Sequence, residues 1–329
     1  MKNAIAMRLF AKILVLAVLL PACVGTAMGQ AYPARPVRVI VPYPPGGGAD
    51  FVTRVLCRAL SDALGQQFVV DNRAGANGNI GAEIVAKSAA NGYTLLSSSN
   101  TTVTINPSLY SRMPIDMLRD LAPVSMFAGQ PNALVVHPAL PAKTVRELVA
   151  LAQARPGELN YASAGTGSSS HIAAELFRMV AKINITHVAY KGNGPAMADL
   201  LGGQIPMMFN NLAPSVAQVK AGKLRALAIT GEQRSSAAPD VPTMGEAGYP
   251  KVVFILWVGL LAPAGTPADI IAKLHAESVK AAQSREVRER LASEGADPYT
   301  TSTAQMTEIM RDETAKWLTV IKAANISLE

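Results

Sequence analysis

The chain has 329 residues, half of them apolar and 16% charged, with 25 Gly and 22 Pro spread along it and a formal charge of +7. That length supports two domains with proper cores, and the composition excludes a disordered or fibrous chain. The positive excess suits an acidic small ligand, but no basic stripe with interleaved aromatics runs through the sequence, so no nucleic-acid partner is expected.

The first residues read as a secretory signal: a basic start from Met1 to Lys12, an apolar run from Ile13 to Leu20, then small residues. Cleavage after Ala31 fits the small-x-small pattern, and cleavage after Gly29 is the alternative. The apolar run falls short of the ~20 residues that a membrane span needs. Leu20-Pro-Ala-Cys23 also resembles a lipoprotein processing box, so acylation at Cys23 is the competing fate of this segment. Residues 1–31 are therefore set aside as a signal peptide, with the periplasm as destination. Once Cys23 leaves, Cys57 stands alone and forms no internal disulfide.

Val37 to Val41 is a β-branched strand pattern, followed by Pro42-Tyr-Pro-Pro-Gly-Gly-Gly-Ala-Asp50. Phe51, Val52, Val55, Leu56, Ala59, Leu60 and Ala63 then recur at helical spacing. Strand, glycine-rich turn and helix start together make a cradle for a small anion, because glycines admit a close approach and the helix offers unpaired N–H groups. The same pattern also serves as a plain tight connection. After a strand at Phe68 to Val70, a glycine-rich loop at 71–78 and a short helix carrying Ile80, Ile84 and Val85, the strand Tyr93 to Leu96 runs into a hydroxyl-rich stretch, Ser97 to Thr104. That stretch reads either as a solvated loop or as a wall of a polar cleft, with Ser99 and Asn100 as its candidate contacts.

Leu121 to Phe127 and Ala133 to Val136 read as two strands separated by a turn at Gly129-Gln-Pro131. Here the chain is expected to cross into a second domain. That domain holds a helix at Val145 to Ala154 and a second glycine-rich stretch, Tyr161-Ala-Ser-Ala-Gly-Thr-Gly-Ser-Ser-Ser170, again between strand and helix. Strands Thr186 to Ala189, Pro206 to Phe209 and Arg225 to Ile229 alternate with helices Ala196 to Leu201 and Pro214 to Ala221. Beyond a Pro- and Gly-punctuated connector (Pro239 to Gly248), Val252 to Leu261 is β-rich. Helical patterns at Ala268 to Ala281, Glu286 to Ser293 and Met306 to Ala323 close the chain. The apolar stripe of the last is expected to pack back on the first domain. Alternating strands and helices predict α/β lobes with mainly parallel sheets, and ligands in such sheets sit beyond the carboxyl ends of the strands.

The chemistry of an enzyme is missing from the pattern. The four histidines have no metal-ligand spacing, there is no Cys-x-x-Cys, no phosphate-loop lysine and no nucleophile elbow, so no metal, cofactor or catalytic residue is expected.

Taken as a set, several motifs resemble one family. They are Tyr32-Pro-x-Arg-Pro-Val-Arg-Val-Ile-Val-Pro-Tyr-Pro-Pro-Gly-Gly47 with Asp50 and Arg54, Asn91-Gly-Tyr-Thr-Leu-Leu96, Tyr161-Ala-Ser-x-Gly-Thr-Gly167, Tyr190-Lys-Gly192, Ala221-Gly-Lys-Leu-Arg-Ala-Leu-Ala228 and Ala262-Pro-Ala-Gly-Thr-Pro267. In order and across the whole mature chain, they resemble the Bug family, periplasmic substrate-binding receptors of tripartite tricarboxylate transporters. The resemblance implies a two-lobed Venus-flytrap fold: lobe I from 32–132 and 252–329, lobe II from 133–251. It implies a small organic acid, a mono- or dicarboxylate or a related molecule, held in the cleft, and membrane transporter subunits as partners. The implied binding set is Tyr43, Pro44, Pro45, Gly46, Gly47 and Asp50 from the first loop (Asp50 equally reads as satisfying N–H groups at the helix start), and Ser163, Ala164, Gly165, Thr166, Gly167, Ser168, Ser169 and His171 from the second. Ser99, Asn100, Lys191 and Asn210 complete it. Where the family commonly carries an aspartate after the strand ending at Phe209, this chain has Asn210 and Asn211, so a relative's ligand does not transfer directly. A binding protein of the same fold that serves a sensor is the alternative to a transporter receptor.

Overall fold

Val37–Val41 forms strand β1, buried except at Arg38 and flanked on both sides by parallel partners, β2 (Phe68–Asn72) and β3 (Thr94–Ser99). A β-branched run with no polar alternation suits such a two-sided burial. Helix α1 (Gly48–Leu64) buries Val52, Val55, Leu56 and Leu60, and Gly65 stops it at φ 69°. Helix α2 (Asn79–Ala86) completes this βα layer. The computed structural model describes residues 32–327; the segment read as a signal peptide, with Cys23 and the expected cleavage positions, lies outside the described residues.

The sheet continues from β3 to the antiparallel β9 (Ile255–Pro263) and then to β4 (Leu121–Val136), on which the two-residue β10 (Asp297–Pro298) also pairs. Strand β4 belongs to two sheets. Its first part, to Pro131, pairs with β9; from Asn132 onward it pairs with β7 (Met207–Asn211) on one side and β8 (Arg225–Ile229) on the other. Beyond β7 lie β5 (Asn160–Ser163) and β6 (Thr186–Ala189), both parallel. The two expected strands are thus one strand of 16 residues, and Gly129-Gln-Pro131 is its crossing point. Proline lacks an N–H, which suits a residue where one set of ladder bonds ends and the next begins. Gly129 lets the backbones close up, since a Cβ there would lie 2.8 Å from Ile255. The sheets are accordingly mixed: parallel within each strand-helix repeat, antiparallel through β4 and β9.

The hydroxyl run after β3 is a buried helical turn at Thr101–Ile105 leading into α3 (Asn106–Leu109). The second sheet carries α4 (Val145–Ala154) and α5 (Ser169–Ala181) on one face, and α6 (Asn193–Leu201) and α7 (Leu212–Lys220) on the other. Helices α8 (Ala268–Gln283) and α9 (Arg285–Ser293) precede the last, α10 (Thr303–Ala324). The α10 stripe divides between two cores. Met306 and Met310 pack with Ile40, Leu96 and Trp257 of the first sheet, as expected, but Trp317, Val320 and Ile321 pack with Tyr161, Phe177 and Phe209 of the second.

Candidate functional site

The registers bring the carboxyl ends of strands from both sheets to the crossing point. Ser99 ends β3 opposite Val258, which pairs with Ala128, while Asn211 ends β7 opposite Asn132. Ala128 and Asn132 are four residues apart on one strand, about 13 Å at the usual rise. Residues paired directly across strands share a face, and alternate residues of one strand do too. Ser99, Val258, Ala128, Gln130, Asn132 and Asn211 therefore lie on one face.

On that face is a cavity of about 420 Å³, whose walls include Gly48 and Ala49, Gln130, and Asn211 and Ala213. The starts of α1 and α7 both open into it. Neither helix has a side-chain cap: Gly47 precedes α1 and Asn211 precedes α7 without a capping hydrogen bond. Such first turns carry unpaired N–H groups and partial positive charge, fewer in α7, where Pro214 has no N–H to offer. No Lys or Arg is among the cavity's lining residues. The donors on its walls are backbone N–H groups and the amides of Gln130 and Asn211, and Glu294 is its one charged lining residue.

The first loop is braced from below. Tyr43 Oη lies 2.7 Å from both Ser99 Oγ and Thr102 Oγ1, and Ser99 N donates to it at 3.3 Å. The hydroxyl stretch is thus a buried wall under the loop, not a solvated one. Pro44, Pro45, Gly46 and Gly47 are exposed above it. Asp50 is buried, and its carboxylate accepts from Gly46 N, Arg54 Nε and Asn72 Nδ2, each at 2.9 Å. Burial works to raise this carboxyl, but the hydrogen bonds from Arg54, Gly46 N–H and Asn72 outweigh it and hold it below its ordinary value. Asp50 is therefore committed to holding the loop. Asn100 is also buried, its Nδ2 donating to Ile255 O at 2.8 Å, and it stands at the same crossing.

The second loop is closed on itself. Ala164 N donates to Ser170 Oγ (2.9 Å), Gly165 N to Ser163 Oγ (3.1 Å), Ser168 N to Gly165 O (3.1 Å) and Gly167 N to His171 Nδ1 (3.1 Å). Ser168 caps α5 by accepting from His171 N. Thr166 is the exposed tip, and Ser169 is half-buried. Beneath the loop, the rings of His171 and His187 stack at 3.8 Å and 10°, and Tyr161 stacks on His187 at 5.0 Å. Ser163 Oγ meets His187 Nε2 at 2.6 Å, and Tyr161 Oη donates to Glu175, which pairs with Arg178. Burial, the neighbouring His187 and Arg178 push His171 down to about 3, so it is neutral, with Nδ1 the acceptor. Burial lowers His187 as well.

None of the residues named in the expected binding set is among those lining the cavity, whose first-loop members are instead the next residues, Gly48 and Ala49; two of the set are turned inward. His171 is 3% exposed and holds Gly167 instead of facing solvent. Asn210 pairs opposite Ala133, on the reverse face, where its Nδ2 bonds Ser215 Oγ at 3.3 Å. Its neighbour Asn211 is the one that lines the cavity. The strand alternation from Met207 and Phe209, both in the α5-side core, carries that signal in the sequence. Lys191 is exposed. Gln130 and Ala213 went unread because a presumed turn and a plain helix start hid them.

The model of the tripartite tricarboxylate transporter family receptor matches residues 52–326. The chain belongs to that family. It is 43% identical over 301 residues to protein BugT of Bordetella pertussis, covering 91% of this chain and 92% of the relative. Among solved structures, a periplasmic transporter superposes with a TM-score of 0.78 at 39% identity, covering 91% of this chain and all of the other. A protein of R. palustris solved with adipate superposes at 0.77 and 36% identity, covering 90% and 99%. MatC of Rhodopseudomonas palustris with bound malate superposes at 0.74 and 32% identity, covering 88% and 100%. The fold is that of the two-lobed α/β periplasmic binding proteins, and the family's members are solute-binding receptors. Among the described residues no helix is long and apolar enough to cross a membrane.

Proposed function

We propose that this receptor captures a small organic acid in a cleft between lobe I (32–132 with 252–329) and lobe II (133–251), in the periplasm after removal of residues 1–31, and passes it to the membrane subunits of a tripartite transporter. The observation that carries the reading is the pair of uncapped helix starts, α1 and α7, opening into one cavity that no Lys or Arg lines. Backbone N–H groups there favour a carboxylate. Two relatives of the same fold carry adipate and malate, both small dicarboxylates. The first loop supplies N–H groups at Gly48 and Ala49, and Thr166 and Ser169 add hydroxyls from the second.

Native mass spectrometry of protein purified from the periplasm, followed by a thermal-shift screen of organic acids, tests this. A ligand that binds only the folded state at a hundredfold excess over Kd adds about 2.7 kcal/mol of stability. The correct acid therefore raises Tm and, if the lobes close on it, reduces the radius of gyration in solution scattering. A neutral or cationic solute as the co-purified species overturns the reading.

A further inference from the structure

Asn132 is fully buried, yet neither its side-chain oxygen nor its side-chain nitrogen has a hydrogen-bond partner among the described residues. Its backbone, by contrast, is pinned: Asn132 N donates to Thr230 Oγ1 at 2.9 Å, Thr230 N donates to Asn132 O at 2.8 Å, and Thr230 Oγ1 donates to Phe254 O at 2.5 Å. The strand therefore needs nothing from this side chain. A buried amide with both ends unmatched is costly to keep, and an apolar residue of similar volume serves a core better. Asn132 shares its face with Gln130 and Asn211, both of which line the cavity; Asn132 is not itself a lining residue and stands one step further along β4, toward Leu134 of the core.

We propose that Asn132 is a specificity-determining residue, whose amide takes an uncharged hydrogen-bonding group of the ligand, a hydroxyl or a carboxamide, directly or through one bridging water. This rests on the organic-acid reading above and sharpens it. The helix starts take the carboxylate, and Asn132 reads what the rest of the molecule carries. An amide offers one donor side and one acceptor side without charge, so its complement is a group that both donates and accepts. A site built to bond such a group discriminates against the analogue that lacks it, because the site is then left unpaired.

The test uses the full mature protein and its Asn132→Leu variant, with matched acids that differ by one hydroxyl: malate against succinate, and 3-hydroxyadipate against adipate. Thermal unfolding without ligand and titration calorimetry are the readouts. The wild type binds the hydroxy acid of at least one pair about tenfold more tightly or better, and Asn132→Leu reduces that preference to within about threefold. The ligand-free variant melts at or above the wild-type temperature, since an unmatched amide has been replaced by an apolar side chain. A variant that melts well below the wild type while keeping the preference overturns the proposal and makes Asn132 a structural residue. A wild type that binds both members of each pair equally also overturns it, while leaving the organic-acid reading standing. A wild type that binds no organic acid removes that reading, and this one with it.

Discussion

The two glycine-rich loops have one design in sequence and two different outcomes in structure. Each leaves the end of a parallel strand and opens a helix. In the first, Asp50 turns back to grip Gly46, Arg54 and Asn72, and the first turn of α1 is left without a side-chain cap. In the second, Ser168 caps α5, and Ser163, Ser170 and His171 take the N–H groups of Gly165, Ala164 and Gly167. A glycine-rich turn before a helix thus keeps its N–H groups open only where neighbouring side chains leave them unspent. The first loop keeps its helix-start donors open; the second spends its own and rests on a stack of buried rings.

Four variants and one condition sharpen that contrast. The largest effect is expected at Asp50→Ala, which removes three hydrogen bonds to one charged carboxylate, each worth about 1.5–3 kcal/mol, with the Arg54 contribution discounted because that side chain is half exposed. We expect a loss of about 3 kcal/mol in urea unfolding, together with loss of ligand binding. Retained affinity would mean that the brace is dispensable to the site.

Acid comes next, and it acts on the second loop. His171 has its folded pKa lowered to about 3 from an ordinary 6.5. Between those values the unfolded chain takes up a proton that the folded protein refuses, so stability is complete above about pH 6.5 and falls as pH drops toward 3. The slope contributed is up to about 1.4 kcal/mol per pH unit. In His171→Leu this contribution to the slope disappears. At neutral pH the same variant costs about 1–3 kcal/mol, because the N–H of Gly167 loses its acceptor. An unchanged acid profile in Tm measurements would show that the imidazole stack titrates freely.

The smallest effects separate the loops most cleanly. Ser168→Ala removes a helix cap and is expected to cost about 1 kcal/mol of stability with little change in affinity. Gly47→Ala does the reverse. Gly47 sits at φ −80°, a conformation open to any residue, and an added Cβ meets only Pro44 O at 3.9 Å. Stability should change by less than about 0.5 kcal/mol, while a side chain beside the α1 start weakens calorimetric ligand binding. Gly46, at φ 84°, is the position of the first loop where the backbone itself requires glycine.

Much of the fold was legible because its strands and helices are punctuated by Gly and Pro and carry clean periodicity. Val37–Val41, Val145–Ala154 and Arg225–Ile229 have the same limits in sequence and structure. The crossing strand was not legible, since Gly129-Gln-Pro131 has the composition of a turn and only its pairing with β9 and β10 makes it extended. The division of α10 between two cores was hidden for a related reason: a stripe shows that a helix is buried, not against what. In the site, the loops were found by their glycines, but burial separated their members. His171 and Asp50 are polar residues consumed by the loops they support. The choice between Asn210 and Asn211 is a matter of strand phase, and Gln130 and Asn132 became visible only once β4 was continuous.

The central claim is that the ligand's carboxylate is held by main-chain N–H groups at the start of α1. A crystal structure of the protein with its co-purified acid tests it most directly. The account predicts a carboxylate oxygen about 2.7–3.2 Å from the N–H of Gly48 or Ala49, on the face that carries Gln130 and Asn211. A carboxylate paired instead with a Lys or Arg side chain, with the α1 start facing only solvent, would contradict it.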